Sequence, residues 1–223
     1  YGFLGPNGSG KTTTIKNLLG LLKPQSGKVN IFGRAFRENK YEILKNIGAL
    51  VEEPALYFHL TAKENLDLFN KLHGTKTNVF EILEMVSLEK SAHQKVKQFS
   101  TGMKQRLGVA IALLHQPGFL ILDEPINGLD PQGIIDTRKM LIKLQEEQGK
   151  TIFLSSHLLS EVEKLCTHAG IINNGRFVFE GTMEQLQHHL KSQNTTTIET
   201  SDPDKAFGLL SQNVGVIEPY EWS

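Results

Sequence analysis

The stretch Gly5-Pro6-Asn7-Gly8-Ser9-Gly10-Lys11-Thr12 decides the fold of this chain. It consists of a glycine, four further residues and Gly-Lys-Thr, and it stands between a strand-like apolar segment and a helical pattern. The glycines would let backbone N–H groups and a helix N-terminus face phosphates, while Lys11 would reach the β- and γ-phosphates. The Thr12 hydroxyl would ligate Mg²⁺, and Thr13 would add a contact to the α-phosphate. The sequence therefore predicts that residues 5–13 bind a nucleotide.

Two carboxylates follow a later apolar run of the chain. Asp123 and Glu124 come directly after Phe119–Leu122; Asp123 could hold Mg²⁺ directly or through water, and Glu124 could polarise an attacking water. His157 follows another apolar run, where an imidazole could contact the γ-phosphate, although a single histidine is more often structural. In combination with the phosphate loop, the acidic pair predicts nucleotide hydrolysis, with Glu124 and His157 as catalytic candidates.

The composition is that of an ordinary globular protein. Of 223 residues, 39% are hydrophobic and 22% are charged, which excludes disordered and fibrous classes. The 24 basic and 24 acidic residues give a formal net charge of zero, so no bulk attraction to nucleic acid or anionic lipid is expected. The single cysteine, Cys166, cannot form an internal disulfide and fits a cytosolic protein. No apolar run reaches the roughly 20 residues that a membrane-spanning helix needs.

The order of elements predicts an α/β fold with a mostly parallel sheet. A helix is expected over residues 11–22 and a β segment over residues 28–32. Apolar runs at residues 119–123 and 151–155, separated by a helical pattern, are typical of buried parallel strands joined by crossovers. Asn173-Asn174-Gly175, between two β segments, predicts a hairpin.

Two further stretches complete the predicted organisation. Residues 54–114 read as an inserted helical subdomain, in which Thr61-Ala62-Lys63-Glu64 predicts a capping box before an amphipathic helix. Residues 182–223 mix an amphipathic helix with a polar stretch over residues 194–197 and show no recognisable chemistry. We therefore expect one domain over residues 1–181, followed by a small C-terminal appendage of unknown role.

The segment Phe99-Ser100-Thr101-Gly102-Met103-Lys104-Gln105-Arg106 separates nucleotide-binding classes that the phosphate loop alone does not distinguish. It resembles the signature sequence of ABC ATPases, usually Leu-Ser-Gly-Gly-Gln. Asn127-Gly128-Leu129-Asp130 resembles the dimer-contact loop of that family, and His157 its switch histidine. Through about residue 181 the chain is thus similar to ABC transporter ATP-binding subunits. The resemblance implies a P-loop NTPase core of RecA-like type with an inserted helical subdomain.

The same resemblance implies a composite ATP site. Ser100, Thr101 and Gly102 would bind the γ-phosphate held by the opposite subunit of a head-to-tail dimer, made of two copies or with a paralogous ATPase. The further partner would be an integral membrane permease on a separate chain, with no nucleic acid, and the chain would lie peripherally at the cytoplasmic face of the cell membrane. Members also carry an adenine-stacking aromatic residue upstream of the phosphate loop, which we expect, with the natural N-terminus, before Tyr1.

This sequence departs from the family pattern at two places. Thr101 and Met103 replace the usual Gly and Gln of the signature, and Glu52 stands where most members have a Mg²⁺-contacting Gln. The stretches that contain them resemble the bacitracin-export and lantibiotic-immunity ATPases, which implies export of peptide antibiotics. We therefore expect Thr12, Asp123 and Glu52 around the metal ion. Because Glu52 adds negative charge beside a triphosphate, nucleotide binding should depend strongly on Mg²⁺.

Three other readings compete with a transporter subunit. By resemblance, a soluble ABC ATPase acting on nucleic acid or the ribosome would show a long coiled-coil insertion, two cassettes or a basic surface, and none is visible in the sequence. A non-enzymatic regulatory cassette would lack catalytic groups, whereas Lys11, Asp123, Glu124 and His157 are all present. A GTPase is disfavoured because Asn39-Lys40-Tyr41-Glu42 only approximates a guanine-specificity motif.

Overall fold

The computed structural model describes residues 1–193, 200–202, 205 and 209 of the chain. Its strands are β1 (Gly2–Leu4), β2 (Asn30–Ile31), β3 (Arg34–Ala35), β4 (Ile47–Leu50), β5 (Phe119–Leu122), β6 (Thr151–Ser156), β7 (His168–Asn173) and β8 (Arg176–Thr182). Its α-helices are α1 (Lys11–Leu18), α2 (Phe36–Leu44), α3 (Ala62–His73), α4 (Val79–Met85), α5 (Thr101–Leu113), α6 (Pro131–Glu146), α7 (Leu159–Leu165) and α8 (Met183–Gln193). Short 3₁₀ turns lie at Glu89–Ser91 and Val96–Gln98.

Six strands form one sheet in the order β4-β5-β6-β1-β7-β8. Every neighbouring pair is parallel except β7 and β8, which form an antiparallel hairpin. Strand β1 is central, with Phe3 paired with Ser155 on one side and with Gly170 on the other. The sheet confirms the predicted α/β class. Because the carboxyl ends of parallel strands share an edge, the loops after β1, β5 and β6 meet there.

Helices cover both faces of the sheet. On one face, α1 and α2 pack on β4 and β5 through a buried cluster: Ile15, Leu19, Phe36, Ile43, Ile47 and Ile121. On the other face α5 lies close against β4. A Cβ placed on Gly48 would be only 2.3 Å from the carbonyl oxygen of Ala112. Since Ile47 and Gly48 are consecutive in a strand, they face opposite sides. The sheet is therefore the middle layer between helices.

Two predicted elements are shorter than expected. The helix predicted over residues 11–22 ends at Leu18, because Gly20 adopts a left-handed conformation (φ 63°) that turns the chain out of the helix. A side chain is also excluded at Gly20, where a Cβ would lie 2.7 Å from the Phe36 ring. The β segment predicted over residues 28–32 is reduced to Asn30–Ile31, since Phe32 and Gly33 both have positive φ and turn the chain into β3.

The local motifs are confirmed. Thr61 accepts a hydrogen bond from the Glu64 N–H while the Glu64 carboxylate accepts one from the Thr61 N–H, which is the predicted capping box at the start of α3. The predicted hairpin is β7–β8, with Asn174 and Gly175 in the left-handed region at its turn.

Asn39, in the guanine-like motif, lies within α2 and its side-chain amide donates to the Ala35 carbonyl.

Residues Tyr1–Leu186 form one compact unit, and it contains the helices of the stretch 54–114. The second unit, Gln187–Ser223, lies largely outside the described residues, as does the polar stretch 194–197. The division at residue 181 stays a prediction. Within the described part of the chain, none of the helices combines the length and apolar character needed to cross a bilayer.

Candidate functional site

The phosphate loop is attached to the sheet on both sides. The Gly5 N–H donates to the Ser156 carbonyl at 3.2 Å, and the Gly175 N–H at the hairpin turn donates to the Ser9 carbonyl at 3.0 Å. The second contact, between residues 166 positions apart, was not anticipated from the sequence. The buried Ser9 hydroxyl has no hydrogen-bond partner among the described residues. The loop is therefore held in place by strand ends that belong to distant parts of the chain.

Glycine is required within this loop. A Cβ on Gly5 would lie 2.4 Å from the Ile172 carbonyl oxygen, closer than real side chains come. Gly8 and Gly10 have φ of 79° and 107°, which residues with a Cβ rarely adopt. Helix α1 begins after Gly10 without an acidic residue in its first turn. Its first N–H groups are thus available to an anion, as phosphate binding at a helix N-terminus requires.

Lys11 points its ammonium group back across the loop. Its Nζ donates to the carbonyls of Gly5 and Pro6, at 2.7 and 3.3 Å, and lies 3.1 Å from a Glu124 carboxylate oxygen. The Lys11 side chain is only 6% exposed. A buried cation beside free N–H groups is the charge that a di- or triphosphate needs, so the predicted phosphate residues fit their ligand.

Both oxygens of the Asp123 carboxylate accept hydrogen bonds from hydroxyl groups. The Thr12 Oγ1 donates to Oδ2 at 2.7 Å, and the Ser155 Oγ donates to Oδ1 at 2.6 Å. A carboxylate and a hydroxyl are oxygen ligands suited to Mg²⁺. Among the described residues, there is no cluster of three or more acidic, histidine or cysteine side chains placed to hold a metal. A magnesium ion here would therefore complete its shell with phosphate oxygens and water.

Glu124 lies between two nitrogen groups. One carboxylate oxygen faces Lys11, and the other lies 2.9 Å from Nδ1 of His157. Because an ionised carboxylate only accepts hydrogen bonds, Nδ1 carries the proton of this contact. The backbone of Glu124 is in the left-handed region (φ 48°), and its N–H donates to the Ser155 hydroxyl at 2.9 Å. The structure therefore brings the three predicted residues Lys11, Glu124 and His157 together.

Ser155 is a site residue that sequence reasoning missed. It is fully buried in β6, the strand between β5 and β1. A polar residue inside an apolar strand was the available signal, since buried hydroxyl groups need partners. The partners themselves lie 31 and 32 residues away, so only the strand register reveals them.

Glu52 lies at the rim of the site. It lines a cleft of about 480 Å³ together with Thr12, Asp123 and Glu124. Its carboxylate is 62% exposed and pairs with the Lys16 ammonium at 2.7 Å. The structure thus places Glu52 in the same cleft as the other predicted metal residues, with Lys16 as its direct partner.

The signature segment forms the start of α5. The Ser100 hydroxyl accepts a hydrogen bond from the Met103 N–H at 3.2 Å, and both Ser100 and Thr101 are exposed. Gly102 packs beside the predicted dimer-contact loop, with Leu129 3.6 Å from a Cβ placed on it. Thr101 also lines the cleft described above. Within the described chain, Ser100 makes its side-chain hydrogen bond to its own helix rather than to the phosphate loop.

A central parallel strand, a glycine loop and a helix N-terminus next to an Asp-Glu pair define a P-loop NTPase. The position of the Glu124 carboxylate beside Lys11 and His157, with Asp123 bonded to Thr12, equips this NTPase for hydrolysis rather than for binding alone.

Comparison with known proteins specifies the family. The family model described as ABC transporter matches residues 1–127. The chain is 50% identical to the Bacitracin transport ATP-binding protein BcrA of Bacillus licheniformis, over 97% of this chain and 71% of that protein. It is 43% identical to the Lantibiotic transport ATP-binding protein SrtF of Streptococcus pyogenes, over 81% of this chain and 77% of that protein. The chain therefore belongs to the ABC transporter family, as an ATP-hydrolysing ATP-binding subunit.

A solved structure shows the same architecture. The ATP binding subunit of an ABC transporter superposes with a TM-score of 0.71 at 30% identity, covering 94% of this chain and 87% of that chain. The resemblance inferred from the signature segment and the Glu52 stretch is confirmed, including its similarity to bacitracin and lantibiotic transport ATPases.

Proposed function

We propose that two copies of this chain, or one copy and a paralogous ATPase, close head to tail around two Mg-ATP and drive a separate membrane permease. The observation that carries the proposal is the division of the ATP-binding chemistry between two regions. Lys11, Glu124 and His157 form one connected group, whereas the N-terminus of α5 is exposed at Ser100 and Thr101. A head-to-tail dimer brings one such region of each subunit against the other region of its partner.

In the proposed reaction, Glu124 orients and polarises a water molecule in line with the γ-phosphate of ATP. Lys11 exchanges its contacts with Glu124 and the loop carbonyls for contacts with phosphate oxygens. The old and the new contacts are charge-assisted bonds of the same ammonium group. His157, with Ser100 and Gly102 of the partner subunit, stabilises the charge on the transferring phosphoryl group. Thr101 adds a second hydroxyl beside that helix N-terminus.

We infer that Thr12 and Asp123 hold Mg²⁺, and that Glu52 acts on the ion from the rim of the cleft. Bound magnesium would neutralise charge on the phosphate oxygens during transfer. Thr12 and Asp123 support this role by their direct 2.7 Å contact. Glu52 supports it by its position in the same cleft, while its pairing with Lys16 makes its contribution the weaker one.

The permease contact proposed here lies at residues 52–59. This stretch lines the cleft with Glu52, Glu53, Pro54, Leu56 and Phe58, and the side chains of Tyr57 and Phe58 are 44% and 51% exposed. Exposed aromatic groups beside carboxylates provide both apolar area and charge for a partner helix. Domain movements driven by ATP would then be transmitted at the membrane surface, on the cytoplasmic side.

The cargo is proposed from the relatives. Proteins named for bacitracin transport and lantibiotic transport are 50% and 43% identical to this chain, which favours export of peptide antibiotics or related compounds. We further infer that residues 182–223 are an appendage to the ATPase domain over residues 1–181.

The experiment that tests the transporter role is purification of the complete native protein, tagged, from membranes solubilised in mild detergent. We expect a stoichiometric multi-spanning membrane protein among its partners, identified by mass spectrometry. A protein recovered with ribosomal or nucleic-acid partners and without any membrane protein would contradict the proposal. If the membrane protein is found, the cargo is tested next. The resistance to bacitracin and to a lantibiotic is compared between cells with and without this protein.

A further inference from the structure

A single buried hydroxyl group connects the two carboxylate residues of the site. Ser155 donates its proton to Oδ1 of Asp123 at 2.6 Å and accepts the backbone N–H of Glu124 at 2.9 Å. The direction of both bonds is fixed, because a carboxylate only accepts and an N–H only donates. The chain of bonds therefore runs from the Glu124 backbone, through Ser155, to the Asp123 carboxylate.

Each of these bonds restrains a different degree of freedom. The bond to Oδ1 of Asp123 limits rotation of the carboxylate, which keeps Oδ2 directed at the Thr12 hydroxyl. The bond from the Glu124 N–H holds a backbone whose φ of 48° is unfavourable for a residue with a side chain. Lys11 and His157 contact the carboxylate of Glu124. Among the described residues, Ser155 provides the side chain that bonds to the Glu124 backbone.

Water cannot take over these bonds easily. Ser155 has no exposed surface and Asp123 is 4% exposed. Removal of the hydroxyl would leave one N–H and one carboxylate oxygen without this partner in a buried place. The structure offers relief only through movement of the Asp123 side chain or of the Glu124 backbone.

We propose that Ser155 is a positioning residue for hydrolysis, which sets the conformation of Glu124 and the orientation of the Asp123 carboxylate at the same time. The inference rests on the proposed role of Glu124 as the group that orients water. Ser155 does not touch ATP; it acts through the other two residues. Its removal is expected to slow the chemical step while leaving ATP binding by the phosphate loop in place.

The test compares steady-state ATP hydrolysis and, separately, ATP binding by the full-length native protein and its Ser155→Ala variant. We expect kcat to fall roughly tenfold to a hundredfold, as for a small misplacement of catalytic groups, while KM changes by less than about threefold. Ser155→Thr keeps the hydroxyl and should recover most of the rate. Ser155→Cys has a side chain of similar size with a weak S–H donor, so it should give an intermediate rate. It replaces Ser155→Ala in the test if the alanine variant does not fold.

Thr137→Val is the matched control, because Thr137 is a buried hydroxyl without a hydrogen-bond partner among the described residues. Its kcat should stay within about twofold of the starting protein, although both variants remove a buried hydroxyl. A loss of rate in Thr137→Val equal to that in Ser155→Ala would overturn the inference, since the effect would then be general.

A double-mutant cycle with Glu124→Gln distinguishes positioning from other effects. Because one part of the effect of Ser155 passes through Glu124 and the other through Asp123, adding Ser155→Ala to Glu124→Gln should lower the residual rate by clearly less than Ser155→Ala lowers the rate of the starting protein. Full multiplication of the two effects, or an unchanged kcat in Ser155→Ala and in Ser155→Cys, would overturn the inference. Failure of the proposed role of Glu124, on which the inference rests, has another signature, because Glu124→Gln would then hydrolyse ATP as fast as the starting protein.

Discussion

The two regions that the proposed function brings together differ in how their polar groups are satisfied. In the catalytic region, made of Lys11, Thr12, Asp123, Glu124, Ser155 and His157, the side chains bond to one another across the carboxyl edge of the sheet. In the signature region, Ser100 to Gly102, the described side-chain bond is a helix cap made within α5 itself. The side chains of the first region are linked to one another, while the second region presents an exposed helix N-terminus.

This difference indicates how the reaction is controlled. The catalytic region holds Lys11 in contact with Glu124, so the same ammonium that would bind phosphate also engages the candidate base. The signature region has the donors that phosphate needs, without a base of its own. Hydrolysis would then depend on closing the two regions around ATP, and each can be changed separately by mutation.

The largest effect is expected within the catalytic region. Glu124→Gln removes the base without changing the size of the side chain, so hydrolysis should fall at least about a hundredfold. ATP binding should persist, and dimers should accumulate with ATP, as measured by size-exclusion chromatography. Full hydrolysis in this variant would show that Glu124 is not the base.

The second prediction tests whether the two regions act across subunits. Ser100→Arg obstructs the signature region and Lys11→Ala disables the phosphate loop, so each variant alone should be nearly inactive. A mixture should recover about a quarter of the activity, because half of the random dimers carry one intact site of two. ATP hydrolysis by the mixture is the measurement.

The control for this mixture is Ser100→Arg combined with a Lys11→Ala/Ser100→Arg double variant. No dimer in that mixture contains an intact composite site, so no recovery is expected. Equal activity in the two mixtures would mean that the regions do not combine between subunits.

A third prediction separates capping from catalysis. Ser100→Ala and Thr61→Ala each remove a side-chain cap, at α5 and at α3, and each should lower the free energy of unfolding by about 1 kcal/mol. Only Ser100→Ala should also slow ATP hydrolysis. Chemical denaturation and ATPase assays on both variants provide the comparison, and equal ATPase rates would reduce Ser100 to a helix cap.

The smallest effect is expected at the rim of the cleft. Glu52→Gln removes a negative charge near the triphosphate. The ratio between the ATP affinities measured with and without Mg²⁺ should therefore fall a few-fold. The effect is limited because Glu52 is 62% exposed and paired with Lys16, and exposed ion pairs contribute little. Glu53→Gln, at the neighbouring cleft residue, is the matched control. An unchanged Mg²⁺ dependence in Glu52→Gln would remove Glu52 from the metal site.

Much of the fold followed from local patterns. The glycine loop, the capping box at Thr61 and the hairpin at Asn174 depend on neighbouring residues, and the sequence contains their causes. The end of α1 was predicted four residues late, because Leu21 and Leu22 continue an apolar pattern although they are 63% and 44% exposed. Periodicity alone does not register the left-handed turn at Gly20.

The contacts that complete the site were beyond local reasoning. Ser155 meets Asp123 only because β5 and β6 are neighbours with Leu122 paired with Leu154. The hairpin reaches Ser9 only because β7 lies beside β1. Strand order and register arise from tertiary packing, so residue types predicted the chemistry of the site but could not predict these partners.

The central position of β1 also bears on how the protein is made. Residues 2–4 are synthesised long before their partners in the sheet, residues 154–156 and 169–171. At ~5–20 residues per second, a ribosome needs on the order of 10 to 30 s to reach those partners. During that time the nascent phosphate loop lacks two of its described backbone partners, Ser156 and Gly175. The anchored form of the phosphate loop, which the proposed ATP site requires, can therefore arise only after Ser156 and Gly175 have been synthesised.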